Sequence, residues 1–217
     1  MNRLPVWVRQ HVAALRTLLV FTVICGVIYP LVLLGISQAA FHNQANGSPV
    51  SYNGKTVGSS LLCQEFVDAK GNPLPQYFQP RPSDATSGAT TDYGCDPMYS
   101  AASNLGPTNP KQVQLVEQRK KQVAEFNGVP ESAVPPDAVT ASGSGLDPDI
   151  SPQYADIQVK RVAAARHLPV AEVQALVNKY TQGRTIGILG EPRVDVLNLN
   201  IALDELPGQA KYAQAGA

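Results

Sequence analysis

A run of 20 residues without a charged side chain, Thr17–Ile36, constrains this chain more than any other feature of its sequence. A helix rises about 1.5 Å per residue, so a run of this length spans a hydrocarbon core of roughly 30 Å. Gly26 and Pro30 lie within the run, but both residue types are common in membrane helices. The sequence therefore predicts a transmembrane helix over residues 17–40, with a kink near Tyr29 and Pro30.

The charges before this run predict the side of the membrane on which the rest of the chain lies. Nothing acidic occurs before residue 41, and three arginines precede the run. Because positively charged flanks stay in the cytoplasm, we expect residues 1–16 to be a cytoplasmic basic N-terminus and residues 41–217 to be extracytoplasmic. The three arginines are Arg3, Arg9 and Arg16.

A cleaved signal peptide is the alternative interpretation of the same segment. Ser37 and Ala39 supply small residues at the −3 and −1 positions before Ala40, as a cleavage site requires. The apolar region of a signal peptide normally has about 7 to 15 residues, and this run is longer. Its length favours a retained anchor, and the cleaved form stays open as the alternative.

The charge of the remaining chain excludes one class of partner. Residues 41–217 carry 14 of the 17 basic side chains and all 17 acidic ones, a formal charge of −3. Nucleic-acid binding depends on clustered Lys and Arg side chains that neutralise phosphates. We therefore expect no nucleic acid among the partners, and we expect the lipid bilayer to surround the anchor.

The extracytoplasmic part is predicted to be one α+β domain, so the fold class is a single N-terminal transmembrane helix followed by that domain. Residues 41–109 are rich in Gly, Pro, Ser and Asn, which predicts short strands and long ordered loops. Helix caps and apolar periodicity predict three helices after this region, then a strand and a frayed tail. The predicted helices are Asn109–Gly128, Ser151–Pro169 and Pro169–Gly183, the strand is Arg193–Asn200, and the tail is Pro207–Ala217.

Two of the three cysteines lie in the predicted extracytoplasmic domain. Cys63 and Cys95 can pair in an oxidising compartment, whereas Cys25 lies within the predicted span. Closing a loop of about 30 residues would stabilise the domain by roughly 3 to 4 kcal/mol in the chain-entropy model. A disulfide is the favoured interpretation, and two free thiols are the alternative.

The sequence contains no pattern typical of a catalytic or metal site. His11, His42 and His167 share no metal-ligand spacing, and there is no nucleophile elbow, Walker loop or dinucleotide fingerprint. We expect no catalytic residue, no metal ion and no firmly bound cofactor.

The most unusual stretch is Thr140–Asp149, which reads TASGSGLDPD. Its glycines and hydroxyl groups could cradle an anion, and Asp147 and Asp149 could ligate a cation. A structural turn is the alternative, because Gly143 and Gly145 tolerate positive φ angles, and composition favours it. Arg81 has two open interpretations: it pairs with a nearby carboxylate, or it reaches a partner subunit.

Four motifs follow one another along the chain: YFQPRPS at Tyr77–Ser83, SNLGPTNP at Ser103–Pro110, VPPDAVTASGSGLDPDISPQYADIQVKRVAAAR at Val134–Arg166 and GEPRVDVLNLNIAL at Gly190–Leu203. Together with the N-terminal span, they resemble a known family, the C chain of the bacterial Kdp potassium-transporting ATPase. The resemblance covers nearly the whole chain, from the anchor to about Leu203. Cys63 and Cys95 depart from it, so the predicted disulfide is not a family property.

The resemblance implies an accessory subunit of a complex that imports potassium at the expense of ATP, in the bacterial inner (plasma) membrane. Its implied partners are a channel-like potassium-binding subunit, a P-type ATPase subunit and a very small membrane subunit. The C chain is non-catalytic in this interpretation, and as a catalytic chaperone it raises the ATP affinity of the pump subunit. ATP then enters only through the pump subunit, and potassium is the ion that the complex transports.

The resemblance also implies candidate residues for these roles. The predicted topology places Gln158 outside, where cytoplasmic ATP cannot reach it, so direct nucleotide contact requires inverted topology or an indirect route. A cap over the external potassium entrance is the physically easier role. The alternative function is a membrane-anchored enzyme or small-ligand binding protein that uses Gly143–Asp149. The candidates for nucleotide or partner contact are Gln158, Ser142, Gly143, Ser144 and Gly145, and those for partner contact are Tyr77, Phe78, Arg81, Asn104, Asp147 and Arg193.

Overall fold

The computed structural model describes residues 5–85 and 95–208. Arg3 and most of the predicted tail, residues 209–217, lie outside the described residues. The chain divides into two compact units, Met1–Pro49 and Val50–Ala217.

The first unit is helical. A continuous apolar helix runs from Val6 to Ala40, and its most apolar part has a mean hydropathy of 2.6 with no buried residue. It is long and apolar enough to cross a membrane, as the charge-free run predicted. The unit consists of α1 (Val6–Val23), a π-helical turn (Ile24–Ile28), α2 (Tyr29–Ala40) and the short α3 (His42–Ala45).

The irregularity in this helix lies one turn before the predicted kink. Pro30 has no backbone N–H, and its ring would collide with the carbonyl of Gly26 in a regular helix. The wider π-helical turn over Ile24–Ile28 ends two residues before Pro30. Such a turn is one of the ways in which a helix accommodates a proline.

The rest of the chain mixes short strands and helices, which confirms the prediction of helices together with a sheet. Its long loops lie mostly within residues 60–85 and 95–109, where the sequence predicted them. The elements are β1 (Pro49–Tyr52), β2 (Lys55–Ser59), α4 (Pro110–Asn127), β3 (Asp149–Ile150), α5 (Pro152–Arg166), α6 (Val170–Tyr180), β4 (Thr181–Gln182), β5 (Arg193–Asp195) and α7 (Val196–Asp204), with 3₁₀ turns at Glu131–Ala133 and Pro136–Ala138.

Two small sheets connect these elements. Strands β1 and β2 form a two-stranded sheet, and β5 lies between β3 and β4 in an antiparallel sheet of three strands. In that sheet Asp149 lies opposite Asp195, and Val194 lies between Ile150 and Thr181. The register therefore brings two carboxylates together at one end of the β3–β5 pair.

The predicted caps of α4 and α5 are confirmed. The Asn109 side chain accepts a hydrogen bond from the N–H of Lys111, and Gly128 ends α4 with a φ of 63°. The Ser151 hydroxyl accepts from the N–H of Tyr154 at 3.0 Å. Helix α5 ends at Arg166, where His167 adopts a left-handed φ of 56° before the predicted break at Pro169.

Two predicted boundaries near the end of the chain are wrong. Helix α6 ends at Tyr180 rather than at Gly183, because Thr181 and Gln182 pair with β5. The predicted strand Arg193–Asn200 is extended only to Asp195.

A helix replaces the rest of that predicted strand because Asp195 caps it. The carboxylate accepts a hydrogen bond from the N–H of Asn198 at 2.8 Å, which begins α7. The apolar residues of α7 are buried on more than one side, so the sequence lacks the one-sided pattern of a surface helix.

One apolar core holds α5, α6, α7 and β5 together. Helix α5 contributes Val159 and Val162, and α7 contributes Leu199 and Leu203, all nearly inaccessible to solvent. Loop residues also reach this core. They include Phe66, Tyr77 and Phe78, and the 3₁₀ segment adds Ala138 and Val139.

Candidate functional site

Gln158 lies on α5 and is completely buried, with 0% exposure. Its Oε1 accepts hydrogen bonds from the backbone N–H of Gln79 and from the Arg161 guanidinium, both at 2.7 Å. Its Nε2 donates to the carbonyl of Gln79 at 3.2 Å. The amide therefore satisfies a buried backbone segment as a neighbouring strand would, and a ligand could reach it only by displacing these bonds.

The loop Tyr77–Gln79 lies between α5 and α7, and Asn200 holds it from the opposite side. The N–H of Phe78 donates to Asn200 Oδ1, and Asn200 Nδ2 donates to the carbonyl of Phe78, both at 2.9 Å. Gln158 and Asn200 thus form hydrogen bonds with the backbone of adjacent residues in one extended loop. The side chains of Tyr77 and Phe78, predicted as partner contacts, belong to the core. The only sequence signal for Asn200 was a polar residue within an apolar run.

Tyr77, Arg166 and Asp204 form a buried charged group that the sequence analysis missed. Arg166 donates to Asp204 Oδ1 at 2.7 Å and to the carbonyl of Gln76 at 2.7 Å. Its guanidinium also lies 4.5 Å from the centre of the Tyr77 ring. Burial, with the charge of Asp204, raises the pKa of Tyr77 above its usual value, so the phenol remains a hydrogen-bond donor.

The glycine-rich loop packs against the rest of the domain. Gly145 has a φ of 74°, and an added Cβ would lie 2.6 Å from the carbonyl oxygen of Ala101. The carbonyl of Gly145 accepts from the Ser83 hydroxyl at 2.6 Å, and that of Ser144 accepts from the N–H of Ala101 at 3.0 Å. Buried Ser142 donates its N–H to the carbonyl of Pro82.

Two backbone donors of this loop bind its own hydroxyl groups. The N–H of Gly145 reaches the Ser142 hydroxyl at 3.2 Å, and the N–H of Leu146 reaches the Ser144 hydroxyl at 3.1 Å. These bonds are those of a structural turn, the alternative that composition favoured. Gly143 and Ser144 are exposed at its tip.

Two arginines and two aspartates form a partly exposed cluster at the end of this loop, next to the buried Asp195. Arg81 donates to Asp147 Oδ2 at 2.8 Å, and Arg193 Nε lies 3.0 Å from Asp149 Oδ2. The structure therefore brings Arg81, Asp147 and Arg193 into one place, and Arg81 has the carboxylate partner that one of its two interpretations required. Asn104, the remaining partner candidate, is exposed at a left-handed φ of 53°.

Burial changes the acidity of this cluster. The pKa of Asp149 is raised to about 6, mainly by burial, while the charge of Arg193 lowers it and the charges of Asp195 and Asp147 raise it. Burial also raises the pKa of Asp195, whose hydrogen bonds from Asn198 and Leu197 act in the opposite direction. No three Asp, Glu, His or Cys side chains within residues 5–85 and 95–208 are placed to hold a metal ion.

Cys63 and Cys95 form a disulfide, with their Cα atoms 5.9 Å apart. The favoured interpretation of these two cysteines is therefore confirmed. The bond links the loop after β2 to the start of the segment that leads to α4, and both cysteines are buried. Cys25 carries a free thiol.

Comparison with known proteins shows similarity along most of the chain. Residues 11–205 match the family described as KdpC, the K⁺-transporting ATPase c chain. The potassium-transporting ATPase KdpC subunit of Streptomyces avermitilis is 48% identical over 207 residues, which covers 89% of this chain and 92% of the relative. The corresponding subunit of Geobacter metallireducens is 47% identical over 194 residues, 89% and 96% of the two chains. That of Mycobacterium tuberculosis is 45% identical over 199 residues, 91% and 99%.

Proposed function

This chain belongs to the KdpC family, the c chains of the K⁺-transporting ATPase, and we propose that it is a non-catalytic subunit that acts through contacts with its partner subunits. The proposed partners are a channel-like potassium-binding subunit, a P-type ATPase subunit and a very small membrane subunit. The helix Val6–Ala40 anchors the chain in the bilayer beside them.

The observation that carries this proposal is that Gln158 is buried and hydrogen-bonded within its own domain. Its amide group binds Gln79 and Arg161. In the glycine-rich loop, the hydroxyl groups of Ser142 and Ser144 accept hydrogen bonds from the N–H groups of Gly145 and Leu146. A nucleotide site would need donors and acceptors that face solvent. Both candidate sites instead stabilise the domain, which supports a role for the domain as a rigid contact surface.

The proposed location of the domain is outside the cytoplasm. The arginines before the apolar run support it, and the Cys63–Cys95 disulfide supports it independently. Structural disulfides persist in oxidising compartments and are rare in the cytosol. Cytoplasmic ATP and this domain are then on opposite sides of the bilayer.

We propose that the chain raises the ATP affinity of the pump subunit indirectly, through the assembled complex. From outside, the domain lies over the potassium entrance of the channel-like subunit. Its formal charge of −3 beyond residue 40 does not repel an approaching cation. Potassium is the cargo of the complex, and the domain itself holds no nucleotide.

Copurification from membranes of potassium-starved cells tests the proposed assembly. We expect the affinity-tagged full chain to recover the larger ATPase subunits. Recovery of the chain alone would contradict the proposal. Replacing residues 6–40 with an unrelated apolar span gives a matched control for contacts made by the anchor.

Thiol labelling of intact cells tests the proposed topology. Ser144 is exposed, so the double variant Cys25→Ser, Ser144→Cys presents one reactive thiol and keeps the disulfide. We expect a membrane-impermeant reagent to label it from outside. Arg9→Cys in the Cys25→Ser background should be labelled only after lysis. Labelling of position 9 from outside, and of position 144 only after lysis, would mean that Gln158 lies in the cytoplasm.

The ATP dependence of the purified complex tests the indirect effect. Gln158→Ala is expected to reduce the fraction of complexes that contain this chain. We expect the ATP half-saturation to change only as far as that fraction falls. Gln153→Ala, an exposed glutamine on the same helix, is the control. A fully assembled Gln158→Ala complex with weakened ATP affinity would support direct contact instead.

A further inference from the structure

The connection between β4 and β5 presents three large apolar side chains to solvent. Ile186 is 80% exposed, Ile188 is 73% exposed and Leu189 is 57% exposed. We call these three residues the apolar tip. Among the described residues none covers them, whereas the apolar residues of the neighbouring strand β5 are buried. Exposed apolar residues that occur in a group, rather than singly, mark interaction sites.

The tip is held in a defined turn. The N–H of Thr185 donates to the carbonyl of Leu189 at 2.8 Å, and the N–H of Leu189 donates back to Thr185 at 3.0 Å. Arg184 and Glu191 form an ion pair at 2.7 Å at the base of the turn. The turn is therefore ordered before any partner binds, which lowers the entropic cost of binding.

Ile186 occupies a backbone conformation that disfavours it. Its φ is 48° and that of Gly187 is 80°, so two consecutive residues have left-handed backbones, as in a type I′ turn. Asn or Gly normally occupies the first of these positions, and a β-branched residue there is an outlier. Ile186 costs the isolated domain both conformational energy and apolar exposure. The compensation has to come from outside the domain.

The charge of this turn indicates what kind of surface the apolar tip contacts. Arg184 is neutralised by Glu191, and Thr185–Gly190 carries no charge and no aromatic side chain. Segments that lie on anionic lipid use unpaired Lys and Arg, often with Trp or Tyr at the interface. A neutral aliphatic tip is instead complementary to an uncharged apolar pocket in a protein.

The area that the apolar tip can bury limits the possible contacts further. Three side chains bury a few hundred Å² at most, well below the roughly 1,200 to 2,000 Å² of a stable protein interface. The tip alone cannot hold two copies of this chain together. It can act as one contact within an assembly that other contacts, such as neighbouring membrane spans, already hold together.

We propose that Ile186, Ile188 and Leu189 insert into an uncharged apolar pocket on another subunit of the same ATPase. This inference rests on the proposed function, because it takes the partner from the family to which the chain belongs. It adds the residues that make the contact and the chemistry of the surface that receives them.

Release of the chain from the purified complex tests the inference. The double variant Ile186→Asn, Ile188→Ser removes apolar surface, and Asn is well tolerated at the positive φ of residue 186. We expect the full-length variant to unfold at the same temperature as the wild type or higher, and to leave the complex roughly tenfold faster or more. Met98→Ser removes a side chain that is 92% exposed elsewhere and should change neither quantity.

The two proposals fail in distinguishable ways. A wild-type chain that does not copurify with the ATPase subunits would contradict the proposed function. A wild-type chain that copurifies, with a double variant that leaves at the same rate, would overturn only the role of the apolar tip.

Photocrosslinking identifies the occupant directly. A benzophenone amino acid in place of Ile188, in the assembled complex in native membranes, should crosslink to another ATPase subunit. Crosslinks to lipid alone, or to a second copy of this chain alone, would overturn the proposal. The same amino acid in place of Met98 gives the background.

Discussion

Tyr77 and Asp204 are 127 positions apart in the sequence, yet the Tyr77 hydroxyl lies 2.9 Å and 3.0 Å from the two carboxylate oxygens of Asp204. Arg166 donates to the same carboxylate at 2.7 Å. The loop before residue 80, the end of α5 and the end of α7 therefore meet at one buried ion pair. Such a pair is costly to break, because removing one member leaves a buried charge without its partner.

Tyr77→Phe should lower the stability of the domain. The substitution keeps the ring beneath Arg166 and removes one hydrogen bond to a buried carboxylate. We expect a loss of about 1.5 to 3 kcal/mol in the free energy of unfolding, measured by urea denaturation of the full chain in detergent. Tyr52→Phe is the control, because the Tyr52 hydroxyl reaches only the backbone carbonyl of Asp204 at 3.4 Å. Equal losses in the two variants would contradict the role given to Tyr77.

Local signals in the sequence predicted the parts of the fold that depend on neighbouring residues. Asn109 with Pro110, and Ser151 with Pro152, marked the starts of α4 and α5 because caps act over two or three residues. The apolar run predicted the long N-terminal helix because it, too, is a feature of consecutive residues. The strand predicted over Arg193–Asn200 failed, since its alternation was imperfect and the Asp195 cap was overlooked.

The contacts within the candidate site could not be predicted, because they join distant segments. Gln158 binds Gln79, which is 79 positions away, and Arg166 binds Asp204 across 38 positions. No periodicity or spacing within a single sequence indicates which polar residues will meet in the core. The resemblance drew attention to Gln158, and only the structure revealed that its amide holds Gln79.

Substitution by Ala should affect the stability of the domain very differently at two glycines of one loop. Gly145→Ala introduces a Cβ 2.6 Å from Ala101 O and from Ala85 Cβ, at a φ of 74°. We expect it to cost about 2 to 4 kcal/mol of stability in the same denaturation measurement.

Gly143→Ala is the matched variant, because no atom lies within 4 Å of its added Cβ. We expect it to change stability by less than about 0.5 kcal/mol and to leave assembly and ATP half-saturation unchanged. If the loop cradled an anion, Gly143→Ala would weaken ATP dependence or ligand binding while leaving the domain stable. That result would favour a ligand site over a structural turn.

Loss of the Cys63–Cys95 disulfide should destabilise the domain through its unfolded state. The bond joins residues that are 32 positions apart, which corresponds to about 3 to 4 kcal/mol in the chain-entropy model. The double variant Cys63→Ser, Cys95→Ser should have a lower unfolding temperature than the wild type. Reduction of the wild type by dithiothreitol should lower its unfolding temperature to a similar extent. Cys25→Ser should not, because Cys25 is free. A wild-type chain that is unaffected by reductant would contradict the prediction.

The carboxylates at the β3–β5 pair give the domain a pH dependence of unusual sign. The pKa of Asp149 is raised to about 6 in the folded chain, above the ordinary value of 3.8. Between these two values the folded state binds more protons than the unfolded state. Its stability therefore falls as the pH rises through this window. The pKa of Asp68 is lowered by hydrogen bonds from Asn72 and acts in the opposite direction, so the effect of Asp149 is measured by comparison with a variant.

Asp149→Asn isolates this contribution. We expect the free energy of unfolding of the wild type, relative to the variant, to fall by about 1 to 2 kcal/mol between pH 4 and pH 6.5, a value discounted for partial exposure. The variant also loses the 3.0 Å contact with Arg193, which shifts its stability mainly above pH 6, where Asp149 is ionised. Asp156→Asn, at an exposed aspartate of α5, is the control for the removal of a carboxylate. A wild type that gains stability relative to Asp149→Asn across this window would show that Arg193 outweighs burial at Asp149, because a dominant ion pair lowers the pKa of a carboxyl group and reverses the slope.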